Sequence, residues 1–218
     1  APPDRKLKSV LQVHAGLDPL YDQVLRDASE IAYFRRVLAA LMLTYEQPSV
    51  EMLAEILELG AQDVLHVLLA IQSIINIPSD DNAPIQLNHT SLRDFLVDES
   101  RSNDLFIDPP TAHAIISIGC LKLMEKNLKT DIFPDNAEAK YAAQYWPRHL
   151  LDSSNANEAS HELLGVLQDF SSSQVMETWI NMLIAGSSVD DVVVQLSDLS
   201  PKYEVMSSLV HSGRTLTV

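Results

Sequence analysis

The sequence predicts a mainly α protein, in which a winged-helix domain with a small β-hairpin is followed by a helical array. Apolar residues recur three and four positions apart along most of the chain, and one segment holds two short extended runs around a polar turn. Of the 218 residues, 46% are hydrophobic and 21% charged, which is typical of a folded globular protein. We expect an N-terminal linker and helix over 1–28, a winged-helix domain over 29–100 and a helical domain over 101–218.

Four helices are predicted before the hairpin. Asp18 and Pro19 are typical of a helix start, because a proline at the first helical position has no amide hydrogen to lose. A second helix is predicted over about 29–45, and a third after Pro48–Ser49. The fourth, over 61–75, is apolar around most of its circumference, so we expect it to be buried on more than one side.

The hairpin is predicted over about 76–89, where extended pieces flank the turn-forming run Ser79-Asp80-Asp81-Asn82. A helix then begins near Thr90, where Ser91 and Asp94 resemble a capping box that supports the helix start. Three helices, a hairpin and another helix are the winged-helix order. Further helices are predicted over 108–128, 136–151, 157–170, 173–185, 188–198 and 201–212, with a strand as the alternative for 189–196.

The charge distribution argues against the DNA-binding role that a winged helix first suggests. The formal net charge is −15, and no Lys or Arg lies between Arg36 and Arg93. That stretch contains the acidic residues Glu46, Glu51, Glu55, Glu58, Asp63, Asp80 and Asp81. Since binding to a polyanion depends on cationic side chains that release counterions, we expect no nucleic-acid partner. No stretch approaches the roughly 18 apolar residues of a membrane span, so we expect no membrane partner.

No catalytic, cofactor or metal site is predicted. The six glycines form no phosphate-binding loop, and the seven histidines show no metal-ligand spacing. Cys120 lies on an apolar helical stripe and is interpreted as a core residue. We therefore expect a protein that is not an enzyme, and the single cysteine favours the reducing cytoplasm. The chain starts at Ala1 without a methionine, which suggests a fragment or a processed product.

Two places are candidates for function. His89 lies between the hairpin and a helix N-terminus, where backbone N–H groups favour a phosphate and an imidazole adds one donor; a core or capping histidine is the alternative. The second is the run Tyr145-Trp146-Pro147-Arg148-His149. It is either a proline-interrupted helix that packs aromatic rings into the core, or a partner surface formed by Tyr145, Trp146 and His149.

One string carries a family resemblance. Leu87-Asn88-His89-Thr90-Ser91-Leu92-Arg93-Asp94-Phe95-Leu96 resembles the L-x-H-x-S-x-x-[DE]-[FY]-L signature in the winged-helix domain of NACHT-type signal-transduction ATPases, the NOD-like branch of the STAND ATPases. The segments 17–25, 105–108, 113–124 and 141–150 are similar to the fungal members of that family. The resemblance covers about 17–151, and no match is apparent beyond it.

The resemblance implies a regulatory, non-catalytic arm of a signalling ATPase of the innate-immunity type. Its partners would be the ATPase domain of the parent protein and other protein subunits, and ADP or ATP with Mg²⁺ is expected only with that domain, which this chain lacks. His89 matches the family histidine that contacts the phosphate of bound ADP and holds the closed form. The alternative is a stand-alone helical adaptor that binds protein or peptide partners.

Overall fold

A computed structural model describes residues 3–128, 137–153, 160–172, 174–186, 194 and 197–198. Within these residues the fold is helical except for one antiparallel two-stranded sheet, which confirms the mainly α prediction. The chain divides into two compact units, the first comprising 1–54 and 59–108, the second 55–58 and 109–218. The N-terminal helix thus groups with the hairpin, and the boundary lies after Asp108 rather than after residue 100.

Unit 1 holds most of the short elements. They are α1 (Pro3–Ala28), α2 (Phe34–Leu43), α3 (Val50–Leu57), α4 (Ala61–Ala70), β1 (Ile75–Asn76), β2 (Gln86–Leu87), α5 (Ser91–Leu96), α6 (Glu99–Ser102) and a 3-10 turn, Asn103–Leu105. Ile75 pairs with Leu87 and Asn76 with Gln86, so the predicted hairpin is confirmed, with strands shorter than expected. Residues buried from several of these elements, including Leu25, Leu38, Leu53, Leu68 and Phe95, form the core.

The first two helices differ from the prediction. The predicted start at Asp18 is wrong, because α1 begins at Pro3 and continues through Pro19, which lacks the amide hydrogen of a helical hydrogen bond. The second helix begins at Phe34 instead of about residue 29. Tyr33 has a φ of 64°, a left-handed conformation that cannot continue a right-handed helix.

The apolar run after Gly60 is divided among three structures. Val64, Val67 and Leu68 are buried, whereas Leu69 on the opposite face of α4 is 47% exposed. The helix ends at Ala70, and the following turn and β1 bury the remaining isoleucines of the run. The prediction of one long helix buried on several sides is therefore wrong, since its last residues pack as turn and strand.

Unit 2 is built from long helices: α7 (Pro109–Leu128), α8 (Ala137–Asp152), α9 (Ser160–Ser172) and α10 (Gln174–Gly186). These confirm the four predicted helices from 108 to 185. Trp146, Phe170 and Trp179 form a buried aromatic cluster with ring centroids 5.3 to 5.9 Å apart. The Trp179 indole N–H donates to the carbonyl of Ala143 at 2.9 Å. The predicted helices over 188–198 and 201–212 lie outside the described residues, apart from 194, 197 and 198.

Glu55–Glu58, the end of α3, belongs to unit 2 and packs on α7. A Cβ atom on Gly119 would lie 1.9 Å from the carbonyl oxygen of Ile56, so only glycine permits this approach. Lys122 pairs with Glu58 at 3.0 Å and with Glu162 at 2.9 Å, and Lys126 pairs with Glu55 at 2.8 Å. Two acids of the cation-free stretch are thus paired with lysines of α7.

Candidate functional site

His89 lies in the link between β2 and α5 and is half-buried. The link is held by its neighbour Asn88, whose backbone N–H donates to the carbonyl of Ile74 at 3.2 Å. The Asn88 side-chain amide donates to the carbonyl of Ser73, also at 3.2 Å. The imidazole is therefore neither sealed in the core nor carried on a free loop.

A backbone hydrogen bond fixes the tautomer of the His89 ring. The N–H of Ser91 donates to Nδ1 of His89 at 3.1 Å. Because a backbone N–H can only donate, Nδ1 carries a lone pair and the neutral ring has its proton on Nε2. The ring is thus set as a hydrogen-bond donor through Nε2.

The capping box predicted from Ser91 and Asp94 is wrong. Ser91 is the first residue of α5 rather than its cap; the cap residue is Thr90, whose side chain makes no capping hydrogen bond. The Ser91 hydroxyl is fully buried and lies 2.9 Å from the hydroxyl of Tyr21 in α1, while Asp94 is exposed. Ser91 still supports the site, through its backbone to His89 and through its side chain to α1.

Helix α1 is fastened to the region around α5 by further polar contacts. Arg101 donates to both carboxylate oxygens of Asp18 at 3.0 and 2.7 Å, with both side chains about a quarter exposed. Arg26 donates to both oxygens of Asp104 at 2.7 Å, and this hydrogen bonding holds the pKa of Asp104 below its ordinary value. The segments 17–25, 87–96 and 105–108 therefore lie together within unit 1.

The predicted partner surface at Tyr145, Trp146 and His149 is wrong. Trp146 and His149 are 0% exposed, and Tyr145 is half-buried. Trp146 belongs to the aromatic cluster of unit 2, so the alternative of a proline-containing helix that packs rings into the core is confirmed. Burial leaves Trp146 and His149 with no surface for a partner to contact, so the three side chains cannot form that surface together.

A buried polar network centred on His149 was not predicted from the sequence. Its Nδ1 lies 2.8 Å from Nδ1 of His113, and its Nε2 lies 2.7 Å from the hydroxyl of Tyr141. Burial lowers the pKa of His149 well below its ordinary value, and the charges of His113 and Arg148 lower it further. His113 and His149 are separated by 36 positions, so no spacing rule connects them.

Other features of the described residues bear on chemistry. Cys120 is buried, as predicted, and burial raises the pKa of its thiol. Among the residues that the structure describes, no group of three or more His, Cys, Asp or Glu side chains could hold a metal ion. In the same part of the chain, every helix is too short or too polar to span a lipid bilayer.

Comparison of the chain with protein-family models, with curated proteins and with solved structures gives no match.

Proposed function

We propose that this chain is a regulatory, non-catalytic arm of a NACHT-type signalling ATPase, in which unit 1 is a winged-helix domain that presents His89 to the phosphate of ADP. The observation that carries the proposal is the half-buried His89 ring at the junction of hairpin and helix, set as a donor through Nε2 by the Ser91 amide. A phosphate oxygen only accepts hydrogen bonds, so a ring in this tautomer is complementary to it.

The order of elements supports a winged-helix interpretation of unit 1. Helices α2, α3 and α4 precede the β1–β2 hairpin, and α5 follows it. The hairpin is joined to the start of α3, since the N–H of Ile85 donates to the carbonyl of Pro48 at 2.9 Å and that of Glu51 to Asp81 at 3.2 Å. A protein partner is favoured over nucleic acid because the stretch from Val37 to Leu92 has no cationic side chain.

The mechanism is a shift between two populations. ADP and Mg²⁺ would be held by the ATPase domain of the parent protein, and His89 would add one donor from unit 1 in the closed state. A hydrogen bond to a charged group contributes about 1.5–3 kcal/mol, which shifts a two-state balance about ten- to a hundredfold. Loss of this donor would free the arm for contacts with other subunits in the cytoplasm.

The test replaces His89 in a protein that joins this chain to its ATPase domain. We expect His89→Ala to lower ADP retention and to raise the basal oligomeric fraction about ten- to a hundredfold. His89→Gln, whose amide keeps a donor near the Nε2 position, should restore part of the resting state. The matched control is His161→Ala, which removes an exposed histidine of α9. Wild-type ADP retention and resting state in His89→Ala would contradict the proposal.

A helical adaptor is the second candidate, favoured by an open groove of about 620 Å³ along α4. The groove is lined by Gln62, Asp63, Leu65, His66, Leu69 and Ala70. Exposed Leu69 and the carboxylate of Asp63, which both line the groove, suit a peptide with apolar and cationic side chains. The same variant separates the two functions, because an adaptor would bind its peptide equally well with His89→Ala and would show no nucleotide-dependent change.

A further inference from the structure

The second unit contains a histidine pair that no proposed step of the nucleotide switch uses. His113 of α7 and His149 of α8 are 5% and 0% exposed, and their Nδ1 atoms are 2.8 Å apart. On the far side of His149, its Nε2 atom lies 2.7 Å from the hydroxyl of buried Tyr141. On the outer side of His113, its Nε2 atom lies 3.9 Å from a carboxylate oxygen of Asp152, a side chain that is 46% exposed.

The distance between the two Nδ1 atoms limits how many protons the pair can hold. A nitrogen–nitrogen hydrogen bond of 2.8 Å contains one proton, donated by one ring and accepted by the lone pair of the other. One added proton can be accommodated at His113, which then donates from Nδ1 to His149 and carries its second N–H on the side of Asp152. A second added proton would place N–H groups on both Nδ1 atoms, and the contact would become repulsive.

Most charged and titratable side chains on the helices around the pair lie at the surface. The groups near the pair on α8 are Arg148 and Asp152, both exposed, together with Tyr145, whose ring centroid is 4.8 Å from that of Tyr141. Glu138, on the same helix, is buried near its start. On α9 and α10, which also pack on α7, the described titratable side chains are all exposed: His161, Glu162, Asp169 and Glu177. On α7 itself, Lys122 and Lys126 are paired with glutamates.

We propose that the His113–His149 pair is a proton-controlled lock between α7 and α8, which holds at most one positive charge and opens unit 2 when acid delivers a second. The inference concerns unit 2 and does not depend on the role of His89. An unfolded chain has no such limit, because each of the two separated rings takes a proton near pH 6.5.

The sign of the pH effect follows from counting protons. Below about pH 6.5 the unfolded pair binds two added protons and the folded pair at most one, so unfolding takes up at least one proton. The pKa of His149 is lowered in the folded state, so stability is present above about pH 6.5 and is lost as the pH falls toward the folded pKa. For each proton taken up on unfolding, the equilibrium constant for unfolding rises about tenfold when the pH falls by one unit.

The experiment uses the whole chain and a signal that reports on unit 2 alone. Trp146 and Trp179 are the only two tryptophans of the sequence and both lie in unit 2, so tryptophan fluorescence follows its unfolding in urea. The unfolding constant is measured from pH 7.5 to pH 5. His149→Asn keeps an oxygen acceptor for His113 but cannot become charged. The logarithm of its unfolding constant should therefore depend less steeply on pH than in the wild type, by about one proton. This corresponds to a tenfold smaller change in the unfolding constant per pH unit.

The control is His161→Asn, which removes an exposed histidine from α9 of the same unit and should leave the slope unchanged. An unchanged slope in His149→Asn would overturn the proposal. A second measurement on the wild type covers the case in which that variant fails to fold. Nitrogen-15 spectra of the histidine rings should show one of the two buried rings still neutral at the lowest pH with native fluorescence. Two doubly protonated rings in the folded chain would overturn it.

Discussion

At the scale of single residues, Ser91 connects two parts of unit 1. Its backbone N–H sets the tautomer of His89 and its hydroxyl bonds to Tyr21 of α1, with Tyr21 itself only 3% exposed. The Tyr21 ring also packs on Phe95, at 5.7 Å between centroids. The position of α1 is therefore coupled to the residue that orients the candidate sensor.

A double-mutant cycle measures this coupling. Tyr21→Phe and Ser91→Ala each remove one hydroxyl and leave the other buried without its partner, which costs about 1–3 kcal/mol of unfolding free energy. The double variant leaves no orphaned hydroxyl, so we expect its loss to be smaller than the sum of the two single losses. Urea unfolding, monitored by circular dichroism, gives the loss of unfolding free energy for each single variant and for the double variant. Additive losses would show that the two hydroxyls do not interact.

Burial of single residues was predictable only where the helical pattern shows it. Cys120 lies on an apolar stripe and is buried as expected. Trp146 and His149 could not be assigned, because a proline next to aromatic and basic residues is compatible with core and with surface. Trp146 is buried because it packs on Phe170 and Trp179. His149 is buried where it contacts His113 and Tyr141. Such contacts between distant positions leave no periodic trace in one sequence.

At the scale of elements, α3 and α7 approach each other closely at Gly119. Gly119 is buried in the interior of α7, where a glycine by itself weakens a helix. The close approach of the Ile56 carbonyl explains its presence, since any Cβ would collide with backbone that cannot rotate away. Gly119 lowers the intrinsic stability of α7 but allows α7 to contact the Ile56 carbonyl.

Alanine at two glycines should therefore have opposite effects. We expect Gly119→Ala to destabilise unit 2 by about 1–3 kcal/mol or more, because α3 or α7 must shift. Gly165→Ala is the matched control, as Gly165 lies in α9 with no atom near its added methyl group, and should stabilise by about 0.5–1 kcal/mol. Tryptophan fluorescence in urea reports both changes. A neutral Gly119→Ala would mean that the close approach is not needed for stability.

The order and type of the longer helices and the hairpin could be predicted, whereas α6, the 3-10 turn and several helix ends could not. Ser49 accepts from the backbone N–H of Met52 at 3.0 Å, which is the local capping signal that located α3 correctly. The hairpin was located by its polar turn. The ends of α2 and α4 depend instead on the φ of Tyr33 and on burial of the turn after Ala70, which are tertiary effects. Pro19 was misleading because a proline that starts a helix and one within it look alike in sequence.

At the scale of the whole molecule, two acids of the cation-free stretch are paired with lysines that lie far from them in the sequence. Glu55 and Glu58 lie in the stretch from Val37 to Leu92, which has no Lys or Arg, and α7 supplies a lysine to each of them. These pairs are partly or fully exposed, and such pairs contribute only about 0–1 kcal/mol each. Together with the close backbone approach at Gly119, these ion pairs connect the end of α3 to α7.

Cutting the chain at its apparent boundary should damage unit 2. A fragment of residues 109–218 lacks Glu55–Glu58, which belong to that unit. We expect its urea midpoint, followed by tryptophan fluorescence, to be lower than in the whole chain, because the surface around Gly119 and the two lysines loses its partners. A fragment midpoint equal to that of the whole chain would show that the end of α3 contributes nothing to unit 2.

The shared helix α3 also has a consequence for how this molecule could change over time. Because one helix serves both units, neither can be exchanged between genes as a continuous stretch of coding sequence, and a fusion or deletion at the linker would leave each half with an incomplete set of neighbours. The first part of α3 belongs to unit 1 and its last turn to unit 2, so any relative that keeps only residues 109–218 must replace that turn.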